Sequence, residues 1–192
     1  QFSKLTADDG LSGPWVPSII QDSRGFMWFG TRRGLDRYDG YAITNYRHIR
    51  NDSTSLPDNY IEFLREDRDS TLWIGTRKGL SRFDRAHDRF QTFVVGGGPE
   101  ARPALAILHS RAGTMWLGTD DGLYQFDRST GKSTRFSGSA AALVAGKNVV
   151  SLTEDRRGHL WIGTKEIGAV DLDPASGTAR NYGTASGIPD PD

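Results

Sequence analysis

A chain of 192 residues in which 24 Lys plus Arg balance 24 Asp plus Glu carries no net charge, so no global field draws it onto nucleic acid or an anionic membrane. It has no cysteine, which excludes a disulfide framework and thiolate zinc sites, and no apolar run nears the roughly 20 residues that span a bilayer as a helix. With 23 glycines, 5 tryptophans and short apolar runs cut by turn residues, the composition points to an all-β fold.

In chain order, Gln1 to Lys4 reads as the tail of a preceding outer strand, with Phe2 in the place that Tyr46 and Tyr182 take later. A connection with Leu11 leads to a first strand carrying Val16 and Ile19, then to the turn "DSRG" and the strand "MWFGT". Arg32 and Arg33 turn into a third strand, "GLDRYD"; Asp39 and Gly40 form a hairpin dipeptide, and a fourth strand ends on Tyr46. The same order returns three times. The first strands carry Ile61 and Leu64, Ala104 and Ile107, Val149 and Leu152, and the fourth strands end on Phe93, Phe136 and Tyr182.

The blade tryptophans Trp28, Trp73, Trp116 and Trp161 stand 45, 43 and 45 residues apart, a period typical of propeller blades. Four short antiparallel strands per repeat form one blade, and its aromatic row needs a neighbouring sheet to cover it. The four tryptophans are therefore read as structural core between blades. The expected blades are about 14–47, 59–95, 103–137 and 147–183, with 184–192 starting the connection to a fifth. The arrangement expected is an open arc cut from a larger, seven-bladed propeller, the alternative being a closed four-bladed ring. Asp22, Asp67 and Asp155 read as turn formers, since Ser110 replaces them in the third repeat. Ile167 adds one residue to the fourth repeat's connection, which should bulge; the Gly96–Pro99 stretch is the least regular.

The frames "DRRGHLWIGT", "GLSRFD" and "GLYQFD" resemble the two-component regulator propeller repeat, and the resemblance runs over essentially the whole chain. It implies the periplasmic sensor region of a bacterial membrane receptor, followed elsewhere by a membrane span and a cytoplasmic histidine kinase or diguanylate cyclase. Many members of that family with known ligands sense oligosaccharides, so an oligosaccharide or other small extracellular ligand is expected, although the resemblance does not imply which signal is read. Ser70 in place of a turn glycine, Ser110 in place of a turn aspartate and the inserted Ile167 depart from the pattern.

Strand alternation places the turns between second and third strands on the same rim as the long connections. There lie Arg32, Arg33, Arg77 and Lys78, four cations on blades one and two, with Asp120 and Asp121 on the third blade and Lys165 and Glu166 on the fourth. Arginine binds carboxylate or sulfate groups bidentately, so this rim is the candidate ligand surface. The competing reading is an ordinary solvated rim. The four histidines show no metal-binding spacing and no nucleophile motif occurs; no catalytic residue, metal ligand or cofactor is assigned. Partners expected are the ligand and, through exposed blade faces, another copy or a neighbouring chain; nucleic acid and membrane contact are not expected. The rivals are a lyase-like propeller enzyme and a purely structural dimerisation module.

Overall fold

A computed structural model describes residues 4–96 and 101–183. The sequence expectations for Phe2, for most of the Gly96–Pro99 stretch and for 184–192 lie outside the described residues.

The chain is all-β, in four four-stranded antiparallel sheets. The first contains β1 (Ser18–Gln21), β2 (Met27–Gly30), β3 (Leu35–Tyr38) and β4 (Ile43–Tyr46), the second β5 (Ile61–Glu66), β6 (Leu72–Thr76), β7 (Gly79–Asp84) and β8 (Arg89–Phe93). The third contains β9 (Ala106–His109), β10 (Met115–Thr119), β11 (Gly122–Asp127) and β12 (Lys132–Arg135), the fourth β13 (Val149–Glu154), β14 (Leu160–Thr164), β15 (Gly168–Leu172) and β16 (Ala179–Tyr182). Strands pair in chain order within each sheet, the meander of a propeller blade. Among the described residues one 3-10 turn (Ala7–Asp9) and one short helix, α1 (Ala141–Val144), lie in the connections. The sheets fall into two units, residues 1–93 and 94–192, each with its own core.

In the first unit Trp28 is fully buried among Leu72, Ile74, Phe83 and Phe90 of the second sheet. Its ring lies 5.0 Å from Phe83, edge to face, and 5.8 Å from Tyr46. The same indole-to-last-strand spacing recurs in every blade: Trp73 to Phe93 at 6.0 Å, Trp116 to Phe136 at 5.7 Å, Trp161 to Tyr182 at 5.4 Å. Trp73 and Trp116 are also buried, Trp116 among Val149, Leu160 and Ile162 of the fourth sheet, while Trp161 is half-buried.

The apolar pairs of the first strands are spaced by three, which a pleat of period two cannot place on one face. In β5 and β13 a register shift between Ile61 and Phe63, and between Val149 and Ser151, resolves the conflict. Ile61 and Leu64 are thereby both buried. β1 has no such shift, and Ile19, expected to face the core, is 54% exposed; Ile20, one residue on, packs against the core instead.

In the first and third blades the glycine after the blade tryptophan marks close approach of the next sheet. A Cβ on Gly30 would sit 2.6 Å from Ile61 Cγ2, and one on Gly118, two repeats on, 2.5 Å from the Val149 carbonyl oxygen. The threonine that follows locks the next turn. Its hydroxyl donates to the carbonyl of the glycine beyond the turn, Thr31 to Gly34 at 2.8 Å, Thr76 to Gly79 at 3.0 Å, Thr119 to Gly122 at 2.9 Å, and accepts a turn N–H. In the fourth blade Thr164 still reaches Gly168 at 2.9 Å, across the longer turn that Ile167 creates.

Candidate functional site

Two rims bear on function. On the rim of the turns between first and second strands, Asp22 folds its own turn by accepting the Arg24 and Phe26 N–H groups, both at 3.0 Å. It also accepts the Trp28 Nε1–H at 2.8 Å and pairs with Arg85 of the second blade at 2.6 Å. Arg85 in turn holds Glu66 at 2.9 Å, and Glu66 accepts the Ser23 N–H and hydroxyl, both at 2.8 Å. Burial by itself pushes the Asp22 carboxyl up; the Arg85 and Trp28 hydrogen bonds, with the Arg85 charge and the Arg24 N–H, outweigh it and hold the group below its usual value. Ser110 performs only the turn part, accepting the Thr114 N–H at 3.1 Å. In the second unit the staple recurs two repeats on: Glu154 accepts the Arg111 N–H at 2.9 Å, and the Arg111 guanidinium adds an ion pair to Glu154 and a bond to the Asp155 carbonyl. On this rim each staple ties the two sheets of its own unit together.

The opposite rim carries the charges singled out in the sequence, and their surroundings differ by unit. In the second unit Arg102 pairs with Asp120 at 3.2 Å and Asp121 at 3.0 Å, and Arg135 also pairs with Asp121. Glu166 accepts the Asn148 N–H and amide, the latter at 2.6 Å. Lys165 is exposed, its N–H on the Asn148 carbonyl at 3.1 Å. These carboxylates are already occupied.

In the first unit the cations are not. Among the described residues, exposed Arg32, Arg33 and Lys78 form no side-chain ion pair, and Arg77 shares its Nε–H with Glu62 at 3.4 Å. The structure joins Arg32 and Arg77 through residues the sequence reading did not single out. The Arg32 guanidinium lies 4.3 Å over the Trp15 ring and 5.3 Å from that of Tyr60, and the Arg77 guanidinium lies 3.8 Å from the same Tyr60 ring. The Arg33 stem packs over Gly13, whose Cβ would meet it at 3.4 Å, and Lys78 extends beside Arg77 in sequence with no contact to the row. A signal for the missed pair existed: Trp15 and Tyr60 each stand thirteen residues before their blade tryptophan, where the later repeats have Pro103 and Asn148.

The histidines lie elsewhere and serve local contacts, His48 Nδ1 with the Leu56 carbonyl, His87 with Asp84 and His159 with Asp171, each at 2.8 Å. Among the described residues no three metal-ligating side chains are grouped.

Fold and rims together define a β-propeller repeat protein. Residues 10–33, 55–78 and 144–166 match the family model for the two component regulator propeller. A 55-residue stretch is 46% identical to the histidine kinase P4 of Formosa agariphila, covering 29% of this chain and 4% of that protein. The extracellular domain of a putative hybrid two component system from B. thetaiotaomicron is similar over 94% of this chain, with 25% identity and a TM-score of 0.81; the chain spans 26% of that domain. Virginiamycin B lyase from Staphylococcus aureus shares the fold at 17% identity, with a TM-score of 0.66 over 90% of this chain and 56% of the lyase. No helix among the described residues is long and apolar enough to cross a membrane.

Proposed function

We propose that this chain is a segment of the periplasmic sensor propeller of a bacterial transmembrane receptor. Its long-connection rim captures an oligosaccharide or another small extracellular ligand, and the receptor passes the event to a cytoplasmic kinase or cyclase. The observation that carries this is the likeness, over nearly the whole chain, to part of the extracellular domain of a putative hybrid two component system, joined to a rim in the first unit whose arginines stack on exposed or half-buried aromatics and, Arg77–Glu62 apart, form no ion pair among the described residues. Within each unit the staples of the other rim and the indole packing hold the two sheets together, which is the support a receptor surface on loops requires. Ligand binding acts by favouring one arrangement of paired receptors, and it shifts that balance by no more than its difference in affinity for the two.

A glycan screen on the full-length protein tests the proposal. Capture of a saccharide that also changes the protein's signalling output supports it. Self-association with no saccharide bound favours a structural dimerisation module, and turnover of a bound substrate favours an enzyme.

A further inference from the structure

We infer that the row Trp15, Arg32, Tyr60 and Arg77 is a binding site for an acidic saccharide, one carrying a carboxylate or sulfate ester on its rings. The inference rests on the sensor reading and narrows it. Guanidinium groups stacked on aromatic rings present a face to the ring and keep their in-plane N–H donors for another partner, which is the geometry that grips a planar acid group. Arg32 is held in this way, 4.3 Å from Trp15, and among the described residues it has no ion pair. Tyr60 keeps the two guanidiniums apart at fixed spacing, and its own N–H is anchored on the Asp58 carboxylate at 2.7 Å.

Charge decides between acidic and neutral ligands. Glu62 lies 3.4 Å from Arg77 and Asp58 accepts the Tyr60 N–H; they are two negative charges against the four cations Arg32, Arg33, Arg77 and Lys78. With Arg33 and Lys78 adjacent in sequence, the row keeps a positive excess that a neutral sugar leaves unanswered. Trp15 supplies the other half of saccharide recognition. It is 58% exposed although one face lies against Arg32, so an apolar surface remains open to the C–H face of a sugar ring.

Calorimetry on the full-length protein distinguishes the sources of the acid group. The probes are oligogalacturonides, with a carboxylate on each ring, sulfated carrageenan oligosaccharides, and fully methyl-esterified oligogalacturonides of matched length, which keep the shape and lose the charge. The expected result is that at least one acidic series binds, with affinity falling as salt rises. Arg32→Gln and Arg77→Gln should each weaken it about tenfold, and Arg32→Lys should give an intermediate loss. If the oligogalacturonide is the ligand, its methyl ester should bind at least about tenfold more weakly. Tyr41→Ala, at a 97% exposed position in the β3–β4 turn, should change nothing. Unchanged melting temperatures of the arginine variants would show that they are folded. Equal affinity for acid and ester, unchanged affinity in both glutamine variants, or no binding of either acidic series overturns the inference. The sensor reading survives each of these if the wider glycan screen finds a ligand, and fails with it if that screen is empty.

Discussion

At the scale of the residue, the aspartate of the first turn does more than shape a hairpin. Asp22 joins its turn, its blade's indole and Arg85 of the next blade, so its carboxylate is worth more than the turn propensity read from sequence, which Ser110 alone satisfies. Because the folded-state value of Asp22 is held below the unfolded one, its contribution is fully present above about pH 4 and is lost as pH falls through the folded value. Asp22→Asn is therefore expected to cost about 1–3 kcal/mol near neutral pH, with the deficit shrinking below about pH 4, as read from urea midpoints across a pH series. A deficit independent of pH would assign the loss to packing instead. The threonine after the indole is the second residue whose meaning only coordinates reveal. Thr76 is fully buried and makes two bonds across its turn, so Thr76→Val should remove both and cost about 1–2 kcal/mol by the same measurement.

At the scale of the element, protection should follow position in the blade. Every residue of β6 and β10 is buried, whereas β12 and β16 have no fully buried residue. Hydrogen exchange should therefore be slowest in β6 and β10 and fastest in the outer strands β12 and β16; uniform protection across a blade would contradict this. Much of this architecture was legible beforehand. The recurring indole, the aromatic at the end of each fourth strand and the invariant glycine together announced four-stranded antiparallel repeats, because each is demanded by packing one sheet on the next. What the residues hid was local. The three-residue spacing of Ile61 and Leu64 concealed a bulge, and the same spacing without a bulge left Ile19 in solvent. The alanine-rich "SAAALVAG" connection gave no strand or turn signal, and its Val144 is buried through the single turn of α1.

At the scale of the whole molecule, zero net charge conceals an uneven distribution. The acidic rim residues of the second unit are consumed by Arg102, Arg135 and Asn148, whereas the cations of the first unit stack on Trp15 and Tyr60 and stay available. Strand alternation alone was enough to pick out Arg32 and Arg77. It passed over Trp15 and Tyr60 because both precede the first strand, where each repeat carries a different side chain, and variability at a shared position is how a scaffold differentiates a surface. The indoles thus divide by burial: Trp28, Trp73 and Trp116 are buried in packing and Trp161 half so, whereas Trp15 is 58% exposed and is the one we propose to meet ligand. To test this division, the full-length protein is titrated with a saccharide found by the glycan screen while tryptophan emission is followed, in wild type and in Trp15→Phe. A ligand-dependent emission change that disappears in Trp15→Phe, together with weaker binding, is expected; the same change persisting in that variant would contradict the division.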